Sequence, residues 1–288
     1  MRPPLRSHRL ALLLVVALLA ARCGGGDSGS ASSGTPSTPT SPTNPTTPTA
    51  PAGGPCSAIG SFAFTPQGIV NGSVCSVATT PVVLLYMRDK DNVRVGRCSG
   101  TVLSKRAVLT AAHCLDEDVV AVDVYQGTGD IIASSSIAAH PSYSRSGNTS
   151  TGFDVGVVIV RADLDRAPVP VLFSRDARVG ESSVIAGWGT AEFGADITIR
   201  AGTAAVTAVN ANWLETVYSG SGTGSNVCSG DSGGPLLLSE GGGWAVGGVT
   251  SATSIGGSCA TGTSYYTNVR NEAVRSFIIG LVPDVIQK

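Results

Sequence analysis

The chain has 288 residues and a formal charge of −1, with 14% charged residues against roughly a quarter in ordinary soluble domains. Four arginines and no acid precede Cys23, so the remainder carries 15 basic and 20 acidic residues, a net −5. That balance excludes binding to nucleic acid or anionic lipid by bulk charge. The 42% of apolar residues excludes general disorder and suffices for one large or two small cores.

Residues 1–9 hold three arginines, and Leu10 to Ala21 is an unbroken apolar run of 12 residues. Such a run is too short to cross a bilayer and predicts a secretory leader over residues 1–22. Its end, Leu19-Ala20-Ala21-Arg22-Cys23, resembles a bacterial lipoprotein signal, in which the cysteine is lipidated after cleavage. Arg22 stands where such signals want a small residue, and an ordinary cut after Ala21 is the other reading. Either way the product leaves the cytoplasm, secreted or held to the cell envelope through Cys23, the one membrane attachment expected. Residues 23–55 collapse to Ser, Thr, Gly and Pro, with Pro36, Pro39, Pro42, Pro45, Pro48 and Pro51 at every third position. This is a disordered, solvated linker of polyproline II type, reaching up to ~100 Å at ~3.1 Å per residue. A glycosylated stalk and a low-complexity insert read the same way.

After Cys56 the apolar residues come in short β-branched runs separated by Gly, Ser, Asn or Asp. The pattern predicts strands over 81–87, 107–110, 119–126, 131–139, 154–160, 169–173, 183–187, 204–209, 235–238, 244–250 and 264–269, hence an all-β sandwich or barrel. Only residues 272–286 change period: Val274, Phe277, Ile278 and Leu281 fall at helical spacing, with Gly280 and Pro283 weakening the far half.

Three motifs carry chemistry. Thr110-Ala111-Ala112-His113-Cys114 closes one predicted strand, Asp154-Val155-Gly156-Val157-Val158 opens another, and Gly230-Asp231-Ser232-Gly233-Gly234-Pro235 forms a glycine-rich turn. With Gly187-Trp188-Gly189 and the stretch around Ser251, they resemble the chymotrypsin-type (trypsin-like) serine endopeptidases over about 220 residues, in that family's order of His, Asp and Ser. The resemblance implies two six-stranded antiparallel β-barrels, over 69–172 and 173–288, with a C-terminal helix and the triad in the cleft between them.

The residue types have their own logic. A serine hydroxyl is a poor nucleophile until an imidazole takes its proton, and that imidazole needs a carboxylate to hold its tautomer. Ser232, His113 and Asp154 fit these roles. Beyond the leader only His113 and His140 remain, and His140, before Pro141, is expected to be a solvated loop residue. Asp163 and Asp165 lie in a polar turn, whereas Asp154 opens an apolar strand, where a buried carboxylate needs a partner. Glycines beside Ser232 leave room for backbone N–H groups to face an oxyanion; by resemblance the donors are Gly230 and Ser232, and Ser251 donates to Asp154.

The resemblance further implies disulfides Cys98–Cys114 and Cys228–Cys259. Cys56 and Cys75 are left to pair with each other, and Cys23 is the odd one out. No Cys-x-x-Cys or histidine cluster supports zinc, and Asp116, Glu117 and Asp118 read as a solvated turn, so no metal and no cofactor is expected. Ile69-Val70-Asn71-Gly72 resembles the family's mature amino terminus, which makes 56–68 a propeptide-like segment and the chain a zymogen. Cutting before Ile69 would free an ammonium to pair with Asp231. Gly68 departs from the usual Lys or Arg, so the activating protease is unknown. Asn226 would form the floor of the specificity pocket, with Thr253 and Ser264 on its walls, implying a preference for small or medium uncharged residues. Expected partners are protein or peptide substrates and that activator; a monomer is expected. A catalytically silent protease-like binding or adhesion module on a Pro/Thr stalk is the alternative.

Overall fold

The computed structural model describes residues 54–60, 63–65, 69–116, 118–129, 131–146, 149–150, 152–190, 198–254 and 259–288. The leader, Cys23, the linker as far as residue 53, Gly68 and Glu117 lie outside the described residues. A short 3-10 turn, Pro55–Ile59, comes first, followed by β1 (Ala63–Thr65) and β2 (Ser73–Cys75). Next come β3 (Val82–Arg88), β4 (Arg94–Ser104), β5 (Ala107–Thr110), a 3-10 turn at Ala112–Leu115, β6 (Ala121–Tyr125) and β7 (Ile132–Ala139). A two-stranded ear, β8 (Arg145–Ser146) and β9 (Thr149–Ser150), precedes β10 (Gly156–Val160). The second half holds β11 (Ser182–Gly187), β12 (Arg200–Val209), β13 (Trp213–Tyr218), β14 (Pro235–Glu240), β15 (Gly243–Thr253), β16 (Gly262–Asn268) and helix α1 (Glu272–Leu281).

Two six-stranded antiparallel barrels result. The first closes in the order β10-β5-β4-β3-β6-β7. In the second, β12-β11-β14-β15-β16-β13 closes through a β12–β13 pairing, and β2 and β1 are added outside β12. Strands between the barrels are buried on both faces, which is why they read as continuous apolar runs rather than alternating ones. Along β11, Val184 and Ala186 join the core cluster shared with Leu85, Val102 and Val158 of the first barrel, while Ile185 packs inside its own barrel. Leu237 of β14 faces the shared cluster in the same way, between Leu236 and Leu238, which turn inward with Leu214 and Tyr266. Helix α1 is capped by the Asn271 side chain, which accepts from the N–H groups of Ala273 and Val274, and it seats Val274 and Ile278 on the shared cluster.

Four sequence expectations need correction. Residues 169–173 form no strand: Pro168 and Pro170 lack the N–H a ladder needs, and Val171 only bridges Val246 and Gln287 in the crossing between barrels. The helix ends at Leu281 rather than 286, and the tail turns back so that Lys288 N–H donates to Val171 O at 2.9 Å. β4 was not anticipated because Gly96, Ser99 and Gly100 interrupt its apolar pattern; Gly100 permits close packing, since a Cβ there would come 2.5 Å from Val108. β13 was also missed, although Leu214, Thr216 and Tyr218 alternate inward along it.

The segment before Ile69 is built into the body. Cys56 and Ile59 are fully buried in the shared core, and Cys56 is bonded to Cys75 with their Cα atoms 5.5 Å apart. β2 pairs with β12 through Val74 opposite Arg200, so residues 73–75 join the second barrel's sheet. Cys98–Cys114 and Cys228–Cys259 form the other two bridges.

Candidate active site

The chain turns sharply before β10. Gly152 and Phe153 both have positive φ, 86° and 57°, a costly backbone for a bulky residue that persists only when its surroundings hold it. What holds Phe153 is His140, stacked on its ring at 5.0 Å and packed against Phe277 of α1, also at 5.0 Å. His140 is therefore no solvated loop residue: it is buried, its N–H donates to Val155 O at 2.9 Å, and its Nδ1 accepts from Ser142 N–H at 3.1 Å. Burial lowers its pKa, against a hydrogen bond to the Ala273 backbone.

That turn aims Asp154 at the 3-10 turn following β5. Its carboxylate is 1% exposed; Oδ1 accepts the backbone N–H of His113 at 2.9 Å, and Oδ2 lies 2.8 Å from His113 Nδ1. Ser251 Oγ donates to the same Oδ2 at 2.5 Å, and Thr267 Oγ1 donates to the Asp154 carbonyl at 2.9 Å. The aspartate is thus pinned by β15 and β16 of the second barrel while it grips the imidazole of the first.

Ser232 sits in a double turn closed by Asp231 N–H to Cys228 O at 3.0 Å and Gly234 N–H to Asp231 O at 2.9 Å. Ser99 N–H donates to the Ser232 carbonyl at 2.8 Å, and Cys114 Sγ lies 3.9 Å from that oxygen. The nucleophile candidate is therefore anchored beside the neighbour of His113. Sequence reasoning did not single out Ser99, whose buried hydroxyl accepts from Trp188 N–H and donates to Gly230 O, both at 2.8 Å. One side chain of β4 thereby ties the turn to the strand end at Trp188. A serine within Cys98-Ser99-Gly100 gave no signal of this, because the partners lie about 90 and 130 residues away.

Asp231 is buried. Its Oδ1 accepts from Gly189 N–H and its Oδ2 from Cys228 N–H, both at 2.8 Å. Gly189 has to be glycine, because a Cβ there would come 2.6 Å from the Asp231 carboxyl carbon. Burial raises the Asp231 pKa to about 6, opposed by those two N–H groups and by the charge of Arg200. Arg200 is itself buried and donates to Gly189 O at 2.9 Å. Ile69 lies buried in the second barrel's core.

Asn226 is 1% exposed and spent at both ends: Nδ2 donates to Cys259 O at 2.9 Å, and Oδ1 accepts from the buried Ser264 hydroxyl at 2.5 Å. Thr253 lies exposed opposite Ser264 in the β15–β16 register. Ligand atoms of Cys98, His113 and Cys114 lie within 4.8 Å of one another, but both sulfurs are consumed in a disulfide and offer a metal no thiolate.

Comparison with known proteins agrees with this architecture. The alkaline C trypsin of Manduca sexta is 27% identical over 209 residues, covering 62% of this chain and 80% of its own length. Chymotrypsin-like elastase family member 1 of Bos taurus is 26% identical over 234 residues, covering 72% and 88%. A solved structure described as HL collagenase superposes with a TM-score of 0.60 at 22% identity, covering 75% of this chain and 97% of its own, which shows a shared fold. The family described as Trypsin matches residues 69–278, most of both barrels, and the chain belongs to the trypsin family of serine endopeptidases.

Proposed function

We propose that this chain is an exported serine endopeptidase in which Ser232 attacks the peptide carbonyl, His113 carries its proton and Asp154 orients the imidazole. The observation that carries the reading is the buried Asp154 carboxylate, committed to His113 through both oxygens. A carboxylate only accepts, so Nδ1 bears the ring proton and Nε2 is left as the base. As Ser232 Oγ bonds to the carbonyl carbon, its proton passes to Nε2, and the N–H groups of Gly230 and Ser232 take the oxyanion. Nε2–H then protonates the departing amine nitrogen as the C–N bond breaks, and water hydrolyses the acyl-enzyme by the same proton path. The three disulfides support an oxidising compartment, in keeping with export.

Substrate preference follows from the pocket. Asn226 carries no charge and both its polar ends are satisfied, so nothing on the floor would pair with Arg or Lys, while Thr253 and Ser264 narrow the walls. Small or medium uncharged residues before the scissile bond fit best. A fluorophosphonate probe should label the chain once it is cut before Ile69 and should not label Ser232→Ala treated in the same way, and nitroanilides of Ala or Val should be hydrolysed faster than that of Arg. A chain cut before Ile69 and still left unlabelled would favour the silent binding module; faster cleavage after Arg would refute the pocket.

The reading includes a zymogen. With its folded pKa raised to about 6, Asp231 stabilises the uncut fold while protonated and gives that stability up as pH rises through about 6. An ammonium freed at Ile69 would offset that loss at neutral pH. Because Cys56 is bonded to Cys75, the upstream segment stays attached after such a cut. On a gel, activated enzyme should run undivided without reductant and release the segment with it; a segment lost without reductant would overturn the tether.

A further inference from the structure

An oxyanion is held only if the N–H groups aimed at it cannot turn away, and each N–H turns with its own rigid peptide plane. In the turn around Ser232, the Ser229–Gly230 plane is held by Thr190 N–H, which donates to Ser229 O at 2.9 Å. Gly234 N–H holds the Asp231–Ser232 plane through Asp231 O at 2.9 Å. Ser99 N–H holds the Ser232–Gly233 plane through Ser232 O at 2.8 Å. The Gly230–Asp231 plane, which lies between the two proposed donors, is reached by a side chain instead: Ser99 Oγ donates to Gly230 O at 2.8 Å.

That bond has one direction. The buried Trp188 N–H donates to Ser99 Oγ at 2.8 Å; an N–H cannot accept, so the hydroxyl proton is turned towards Gly230 O. Trp188, Gly189 and Thr190 thus offer successive N–H groups to the turn, through Ser99 Oγ, Asp231 Oδ1 and Ser229 O. Only the first works through a relay. The plane it steadies is free to rotate on its own account, because Gly230 has a φ of +93° and no Cβ to restrict it. Ser99 itself is fully buried, and Thr110 Oγ1 donates to its carbonyl at 2.9 Å, so the relay is seated in the first barrel's sheet.

We infer that Ser99 is a positioning residue for the oxyanion hole, its hydroxyl fixing the peptide between the two donors so that both N–H groups stay aimed at one point. The inference rests on the endopeptidase reading. Ser99 then acts on the charge that develops in the transition state and leaves substrate binding alone.

With every chain cut before Ile69, Ser99→Ala should hydrolyse an Ala nitroanilide with kcat lowered about tenfold and KM within about twofold of native. Loosening the hole costs less than removing a donor outright, which is worth about 10²–10³-fold. A peptidyl trifluoromethyl ketone of Ala forms an anionic adduct with the nucleophile, so its Ki should rise by about the same factor as kcat falls. Rates are taken per active site, counted by carrying fluorophosphonate labelling to its end point. If Ser99→Ala does not fold, Ser99→Gly leaves space for a water between Trp188 N–H and Gly230 O; as a looser link it should lower kcat about threefold, and a native kcat there would overturn the inference.

Fewer active sites, each turning over at the native rate, would make Ser99 a support for the fold alone and defeat the proposal. A raised KM with kcat kept, or a lowered kcat with the ketone Ki unchanged, would defeat it as well. A native chain cut before Ile69 and not labelled by the probe would remove the endopeptidase reading and this inference with it.

Discussion

Replacing Asp154 by asparagine should lower kcat about 10⁴-fold, the magnitude known for the same change in a trypsin-type triad. The structure gives the reason in this chain. Asp154 Oδ2 lies 2.8 Å from His113 Nδ1 and accepts Ser251 Oγ as well, so the carboxylate meets two donors on one oxygen. An amide can turn only one oxygen towards that side. If its NH₂ faces the ring, Nδ1 becomes the acceptor, the proton moves to Nε2 and the base is lost. If its oxygen faces the ring, the NH₂ meets the His113 backbone N–H, which donates to Oδ1 in the native chain. One buried donor is stranded either way, at about 1–3 kcal/mol of stability. Turnover of an Ala nitroanilide, normalised to folded protein by denaturant unfolding, separates the two effects. A loss of threefold or less would show that Asp154 does not orient the base.

The largest stability effect is expected at Gly233. Its φ is +81°, and an added Cβ would overlap Thr110 Oγ1 and the Ser99 carbonyl oxygen and come 2.9 Å from Ala111 N. Two of those three atoms are backbone, held in β4 and at the end of β5, so neither can step aside as the tip of a long side chain could. Gly233→Ala should cost at least about 4 kcal/mol, and any folded remainder should label slowly, because Ser232 would be pushed off its anchor at Ser99. Gly129 is the control: its φ is +73° and nothing lies within 4 Å of the added carbon, so only the backbone preference is at stake, about 1 kcal/mol. Equal costs at the two positions in denaturant titrations would refute the steric account.

The barrel architecture and the candidate site residues were legible in the sequence for different reasons. His113, Asp154 and Ser232 stand inside motifs whose neighbours single them out as candidates, and β5 and β11 are short, largely apolar runs flanked by polar residues, so their bounds were readable to within a residue. β4 was not readable, because the close approach of β3 and β5 selects the glycines and serines that disguise it. Nor was the part played by His140. The pair His140-Pro141 looks like a turn in isolation, and only the folded chain sets Phe153 on one face of the ring and Phe277 on another. Ser99 belongs with it, since it bonds across the seam between barrels to Trp188 and Gly230, and a distance that exists only after folding leaves no mark on local composition.

The aromatic stack has a consequence for the carboxyl end. Phe277 of α1 touches His140, His140 props Phe153, and Phe153 is the residue that swings Asp154 into place. Helix α1 thus behaves as a doorstop wedged behind the candidate pair of His113 and Asp154. Loosening that helix at Phe277 would therefore reach Asp154 through His140 and Phe153, without touching the candidate triad itself.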